Sequence, residues 1–416
     1  MTHFAMHAPG PAVLPTTMDT RYPLAQRTAR IEPFHVMELA KRAAALEAAG
    51  HPVIHMNIGE PDFTAPEPVM AALERAVRAG HTQYTAATGL AALREAIAHD
   101  YAQRHGIAVD PARIVITAGA SAALLLACCT LVDPGASVLM TDPGYPCNRH
   151  FVAAFDGIPR LVPVGPRTRF QMTRELVESH WDAGTRGVLL ASPANPTGTS
   201  IPFDEIGRIV EAVRARGGFT IVDEIYLGLS YDAPARSALE YGDDLIVSNS
   251  FSKYFHMTGW RLGWLVVPPT LVPVFEKLAQ NLYICASTLA QHAALACFDP
   301  ESLAAYAARR DEFRRRRDFI VPALSAAGLA VPVAPDGAFY VYADCSACSD
   351  DSTRFALELL ERIHVSVVPG MDFGVHEPSR YLRLSYATAM ERLEEAAQRL
   401  GAYLAPGGER RRQKPV

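Results

Sequence analysis

Six short, almost wholly apolar runs punctuate the middle of this chain: Ile114–Thr117, Ser137–Thr141, Gly187–Ala191, Thr220–Val222, Leu245–Ser248 and Leu262–Val267. Stretches with apolar residues at helical spacing fill most of the gaps, over Ala91–Arg104, Ala122–Leu131, Phe203–Arg216 and Leu271–Asn281. A strand that is apolar on both faces has no side to give to water, so helices must cover both. The alternation predicts an α/β protein with a mainly parallel central sheet between helices. Ligands of such sheets sit beyond the carboxyl ends of the strands. The residues that follow each run are therefore where chemistry is expected.

The flanks carry a second pattern. Residues 1–30 are rich in Pro, Thr and His without periodicity and read as a partly mobile arm. Pro33 to Gly50 reads as a helix with Gly50 as its C-cap, Pro52–Ile54 as strand, and Asn57–Phe63 as a turn-rich loop. A long helix from about Glu301 to Ala326 precedes Gly337–Tyr342, a helix over Ser352–Ile363, and runs at Val365–Val368 and Tyr381–Ser385. These predict a smaller α/β domain. The expected division is an arm (1–30), the first part of the small domain (31–58), a large ligand-binding domain (59–300), the rest of the small domain (301–405) and a disordered basic tail (406–416). A chain of 416 residues is long enough for two or three domains.

Composition removes several function classes. The formal net charge of −5 gives no general field for a polyanion, so nucleic acid is not an expected partner. No apolar stretch reaches the ~20 residues of a membrane span, and Met1–Thr20 lacks the charged and apolar regions of a secretory signal. The 7 cysteines, odd in number and scattered, suit a reducing compartment, and the expectation is cytoplasmic. No metal site is expected. His51 and His55 are separated by a strand, and the C-x-x-C at Cys345–Cys348 lacks the second pair a structural zinc needs. The run Arg314–Arg317 is flanked by Asp311, Glu312 and Asp318 and reads as a solvated helix face rather than a phosphate patch.

Lysine is scarce: Lys41, Lys253, Lys277 and Lys414 are the only ones among 39 basic residues. Arginine can do most of what lysine does, except act as a neutral amine. A lysine kept between serines beyond an apolar run, at Ser252-Lys253, fits a Schiff-base former. Arg261, eight residues on, is a bidentate donor suited to phosphate, and Ser250 lies close by. The other strand ends carry matching groups. Gly119-Ala120-Ser121 opens a helix, which is either an anion cradle of backbone N–H groups or a plain tight turn. Tyr145, between two prolines, is either a stacking partner for a planar ring or an ordinary turn tyrosine. Asn195 is a rigidly presented amide in Pro193–Pro196. Asp223 is an acid just past an apolar strand, costly to bury without a cationic partner, and Tyr226 follows it. Together the groups describe a planar heteroaromatic with a ring nitrogen, a phenolic oxygen, an aldehyde and a phosphate, which is pyridoxal 5'-phosphate.

From about Arg30 to Leu400 the chain resembles the class I/II aminotransferases of fold type I. The resemblance rests on the segments at 57–63, 84–90, 192–198, 222–226, 250–253, 259–264, 337–340 and 383–387. It implies that Lys253 binds the cofactor aldehyde and then moves the substrate proton. Asp223 would pair the ring nitrogen, Tyr226 and Asn195 the ring oxygen, and Tyr145 the ring face. Gly119, Ala120, Ser121, Ser250 and Arg261 would hold the phosphate. Tyr84 would reach the neighbouring subunit's phosphate, implying a homodimer with shared sites. Arg383 would clamp the substrate carboxylate, helped by the backbone of Gly59. Ala120 departs from the Gly, Ser or Thr common in the family, without loss of a backbone contact. The implied reaction is ping-pong transfer of an amino group, via pyridoxamine phosphate, from an L-amino acid to a 2-oxo acid such as 2-oxoglutarate or pyruvate. The rivals are a lyase or synthase on the same fold and, more remotely, a regulatory or binding protein, which would need a DNA-binding module ahead of it. The neutral segment Leu282–Thr288 favours neutral or hydrophobic donors, unless Arg30, His35 or Lys41 brings charge to the pocket.

Overall fold

The computed structural model of the protein describes residues 22–33 and 36–405. The strands are β1 (Ile54–His55), β2 (Ile114–Thr117), β3 (Ser137–Asp142), β4 (Ile158–Pro163), β5 (Thr185–Ala191), β6 (Phe219–Asp223), β7 (Ile246–Ser250), β8 (Gly263–Val266), β9 (Tyr340–Asp344), β10 (Val365–Ser366), β11 (Val368–Pro369) and β12 (Tyr381–Ser385). The helices are α1 (Val36–Ala48), α2 (Glu67–Arg78), α3 (Ala91–Asp100), α4 (Gly119–Leu131), α5 (Pro146–Ala154), α6 (Arg174–His180), α7 (Phe203–Arg214), α8 (Val272–Leu282), α9 (Thr288–Ala294), α10 (Pro300–Ala326), α11 (Ser352–Ile363) and α12 (Met390–Leu404).

Seven strands form one sheet in the order β2-β8-β7-β6-β5-β3-β4. β8 is antiparallel to both neighbours and the other pairs are parallel. The sheet is buried on both faces. Val188, Leu190, Val222 and Val247 belong to one apolar cluster, while Val138, Leu189, Ile221 and Leu265 belong to another on the opposite side. Alternate residues of one strand therefore serve different cores, which is why the runs are almost wholly apolar. β11-β12-β9 form a smaller antiparallel sheet, and β1 pairs in parallel with β10.

The six predicted central strands are present: β2 is as expected, β3, β5 and β6 are a residue or two longer, β7 is shifted and β8 is shorter. β4 was not predicted: it is the sheet edge, interrupted by Pro159 and Pro163 and largely accessible, so it lacks the apolar signature. The helix expected from Ala122 begins at Gly119, so the small residues are its first turn. Gly50 ends the first helix's chain reversal at φ +89°, with His51 N–H donating to Leu46 O at 3.0 Å. Residues 1–21 of the arm and the tail from 406 lie outside the described residues. The rest of the arm is pinned by Arg27 and Arg30, which both pair with Asp156.

The arginine run on α10 requires a correction. Arg314 and Arg315 are exposed, but Arg316 and Arg317 are buried. Arg316 Nη1 donates to both oxygens of Asp62, at 2.8 and 3.0 Å. Arg317 forms a fork with Asp232 at 2.6 and 2.9 Å and also reaches Pro335 O at 3.0 Å. These are tertiary ties. The first anchors the 57–63 loop, which borders the site described next.

Candidate active site

The ends of the central strands surround a cavity of about 280 Å³. Gly59, Ala120, Ser121, Tyr145, Asn195, Asp223, Tyr226, Lys253 and Arg383 all line it. The sheet register explains the convergence. Ala191 stands opposite Asp223, and Asp223 opposite Ser248, so the turns after β5, β6 and β7 emerge side by side.

Asp223 ends β6 and is 5% exposed. Its Oδ1 accepts the Ile225 N–H at 3.3 Å. Burial pushes its carboxyl up to about 7, against the opposing pull of that N–H and of Lys253. Lys253 Nζ donates to Gly59 O and lies 5.9 Å from the ring centres of both Tyr226 and Phe339. Burial lowers its ammonium to about 8, with Glu60 resisting and Arg383 and Arg261 assisting the fall. The site thus holds an amine that gives up its proton more readily than an ordinary lysine and an acid whose ionisation lacks a full partner.

Arg383, on β12, donates from Nη1 to Asn195 Oδ1 at 3.0 Å and from Nη2 to Asn57 O at 2.7 Å. Its guanidinium carbon lies 4.6 Å from the ring centre of Tyr340 and 4.9 Å from that of Phe373. Its Nε is buried without a partner. Among the described residues no carboxylate pairs with it, although most arginines on α10 have one. Tyr226 and Tyr340 join their hydroxyls at 3.0 Å, and burial raises the Tyr226 phenol well above its ordinary range. Burial likewise raises that of Tyr145, the residue before α5.

Gly119 and Arg261 meet just outside the cavity lining. A Cβ on Gly119 would lie 2.6 Å from Arg261 Nη2, and Gly119 adopts φ +83°. Only glycine lets the guanidinium lie against the first turn of α4. Arg261 donates to Thr258 O at 3.0 Å and has no carboxylate partner among the described residues. Ser250 does not line the cavity. Its hydroxyl bonds Ser252 Oγ and Leu262 O, at 3.0 and 3.1 Å, and fixes the turn before Lys253. Tyr84 is not brought to the site of its own chain and is 78% exposed. Of the three groups that could have carried charge to the pocket, Arg30 pairs with Asp156 and Lys41 with Glu38, while His35 lies outside the described residues.

Sequence reasoning missed several contributors. Asn57 and Tyr340 stand in segments quoted for the resemblance, which was the available signal. Leu124, Ile225, Val368, Asp372 and Phe373 also line the cavity. Phe373 and Asp372 sit in a loop with no periodicity to announce them.

A seven-stranded α/β sheet with a lysine and a buried carboxylate at its strand ends, faced by an arginine of the small sheet that lacks a carboxylate partner, has the arrangement of a fold-type I enzyme. The sequence pattern of the family "Aminotransferase class I and II" matches residues 51–400. The chain belongs to this family and is an aminotransferase. It is 40% identical to the valine–pyruvate aminotransferase of Mycobacterium tuberculosis over 90% of this chain and 97% of that one. It is 34% identical to the aspartate/prephenate aminotransferase of Cereibacter sphaeroides over 92% and 98% of the two chains. Among solved structures, an aminotransferase from Mycobacterium tuberculosis superposes with a TM-score of 0.89 at 40% identity, over 92% of this chain and 99% of that chain. The aspartate aminotransferase of Thermus thermophilus with maleate gives 0.86 at 31% identity, over 91% and 99%.

Proposed function

We propose that this aminotransferase uses pyridoxal 5'-phosphate to move the amino group of a neutral or hydrophobic L-amino acid to a 2-oxo acid such as pyruvate. The carrying observation is that Lys253 and Asp223, each displaced from its ordinary ionisation by burial, share one cavity with an Arg383 that lacks a carboxylate.

The residues present fit the cofactor. A buried carboxylate near 7 is short of a cation, which a protonated ring nitrogen supplies. Arg261, against a helix start kept open by Gly119, is short of an anion, which a phosphate supplies. When bound, the cofactor provides the electron sink that makes the substrate's α-proton removable. The chain's own groups do the rest. Lys253 would hold the cofactor through its aldehyde and would take and return the substrate α-proton at Nζ, for which a lowered pKa keeps a usable fraction neutral. Asn195 gives its oxygen to Arg383, which leaves its NH2 to donate into the cavity. Tyr226 supplies a hydroxyl on the same side, and Tyr145 a ring face. Arg383 grips the substrate carboxylate.

The lining supports this substrate class. Its basic members are Lys253 and Arg383, both already assigned, while Asp372 adds an acid and Leu124, Val368 and Phe373 are apolar. A second substrate carboxylate would meet no cation there and would pay desolvation. The relative named valine–pyruvate aminotransferase supports the same reading.

We further propose a homodimer in which exposed Tyr84 completes the partner's phosphate site. In this division 59–300 is the cofactor-holding domain, and 31–58 with 301–405 the smaller one. Among the described residues no helix is long and apolar enough to cross a membrane, and a cytoplasmic location is part of this proposal. A transamination screen of the amino acids against pyruvate and 2-oxoglutarate, with spectroscopy of the cofactor in each half-reaction, tests the reading. Absence of an amino-group half-reaction with any L-amino acid would overturn it.

A further inference from the structure

Asp142 closes β3 with a carboxylate that none of the roles above uses. It is 2% exposed. Its Oδ2 accepts two backbone N–H groups, from Val375 at 3.0 Å and His376 at 3.1 Å. Its Oδ1 is buried and has no hydrogen-bond partner. A third tie runs the same way: Gly144 N–H donates to Phe373 O at 2.9 Å. So the end of a central strand of the large sheet is bonded three times to the loop that leaves β11 in the small sheet.

That loop also has to be bare at one point. A Cβ on Gly374 would lie 1.6 Å from Asp142 Oδ1, a distance no side chain tolerates. The backbone of Gly374 is not left-handed, so the requirement is one of space rather than conformation. The carboxylate is therefore packed directly onto the loop, and burial raises its pKa despite the two N–H bonds and the nearby His376 and Arg149.

What the loop positions is Phe373. Its ring lines the cavity and lies 4.9 Å from the Arg383 guanidinium carbon, on which Tyr340 also packs at 4.6 Å. β11 itself pairs with β12 so that Val368 stands opposite Arg383. The carboxylate clamp is thus held between two aromatic rings. One of them, Tyr340, stands on β9 within the small sheet. The other is carried on a loop whose far anchor is Asp142.

We propose that Asp142 is a positioning residue. It latches the loop after β11 to the end of β3, and so holds Phe373 against the Arg383 guanidinium and the wall of the substrate cavity. The proposal rests on the reading of Arg383 as the carboxylate clamp. Loss of the latch frees Phe373 to leave the guanidinium, which weakens substrate capture more than it slows the chemistry at Lys253, whose own contacts are Gly59, Tyr226 and Phe339 rather than this loop.

The test compares the cofactor-loaded wild type with Asp142→Ala, Asp142→Asn and Gly374→Ala. Asn keeps an oxygen able to accept both N–H groups and is the rescue control. Alanine at 374 drives a methyl against Asp142 Oδ1 and displaces the loop while the residue at 142 is unchanged. Losing two buried backbone bonds shifts such a latch by about tenfold or more. In Asp142→Ala and Gly374→Ala the KM for both donor and acceptor is expected to rise about tenfold while kcat changes by less than about threefold. In the same two variants, hydrogen exchange at the Val375 and His376 amides should accelerate by a similar factor, and Asp142→Asn should stay near wild type in both measurements. The proposal is overturned if Asp142→Ala leaves exchange and KM at wild-type values, or if kcat falls with KM unchanged. A wild type that transfers no amino group would instead sink the function above, and exchange at the two amides would still decide the latch.

Discussion

Asn195 Oδ1 and Arg383 Nη1, 188 residues apart in sequence, are joined by a buried hydrogen bond of 3.0 Å. One comes from the turn after β5 in the large sheet and the other from β12 in the small one. On the proposed function Asn195 would face the cofactor ring and Arg383 the substrate carboxylate, so the bond would couple the two halves of the site. Arg383→Ala is expected to cost roughly 2–5 kcal/mol in kcat/KM, because a bidentate contact is lost and the partner carboxylate is left unpaired. Asn195→Ala should cost less. In a double-mutant cycle the two losses should fall short of additivity by about 0.5–3 kcal/mol. Full additivity would mean that the bond does not transmit between the halves.

Lys253→Ala should abolish turnover while leaving the cofactor bound without a covalent link. Borohydride treatment of the wild type followed by peptide mass mapping should place the label on Lys253. Label on Lys41 or Lys277 would remove Lys253 from the centre of the mechanism.

The buried acid gives a pH signature in the cofactor-free protein. Asp223 is held near 7 when folded and titrates near its ordinary 3.8 when unfolded, so its contribution to stability is complete below that lower value. As pH rises from there through 7, the unfolded chain releases a proton that the folded chain retains, and stability falls. Glu224, raised to about 8 by burial, acts in the same direction. Lys253, lowered to about 8 from 10.5, acts oppositely, raising stability as pH climbs between those values. Asp223→Asn removes the first contribution, and with it the smaller pull of Asp223 on Glu224 and Lys253. The variant's stability advantage over the wild type should therefore grow between pH 4 and 7.5, reaching on the order of a few kcal/mol. Chemical denaturation of both cofactor-free proteins across that range checks it, and a constant difference would show that Asp223 titrates normally.

Most of this architecture was legible because both faces of the central strands are buried, so each strand reads as an unbroken apolar run. Where that condition fails the reading fails with it. β4, at the edge with Pro159 and Pro163, looked like loop, and α5 was hidden behind Pro146. Of the cavity-lining residues, Tyr145, Asn195, Asp223 and Lys253 were legible because each lies at or shortly past the end of a central strand, whereas Arg383, inside β12, could be named only from the resemblance. Phe373 and Asp142 were not seen as a pair, because what relates them is a contact between sheets rather than a position along one. The same limit explains Arg316 and Arg317. Their sequence neighbours are acidic and suggest a solvated face, whereas their tertiary partners, Asp62 and Asp232, lie 254 and 85 residues away.

If Tyr84 serves the neighbouring subunit, damaged sites should be repairable by mixing. A Tyr84→Phe protein and a Lys253→Ala protein, each impaired, would form hybrid dimers with one intact site and one doubly damaged. Recovery of up to about a quarter of wild-type activity after exchange of subunits is expected on random pairing, since half the dimers are hybrids and each has one working site of two. Sedimentation should show the active species as a dimer. Full activity in a monomer would contradict the shared site.

The donor preference can be settled by kcat/KM for valine, leucine, alanine, phenylalanine and aspartate with pyruvate as acceptor. The apolar lining from Leu124, Val368 and Phe373, with Asp372 beside them, should favour the neutral donors. The margin over aspartate should reach at least about tenfold, the scale set by leaving a charged group unpaired in a partly buried pocket. A wild-type preference for aspartate would mean that a basic group beyond Lys253 and Arg383 reaches the pocket, and the partner subunit would then be the place to look for it, because Arg30 and Lys41 are held by Asp156 and Glu38 in this chain.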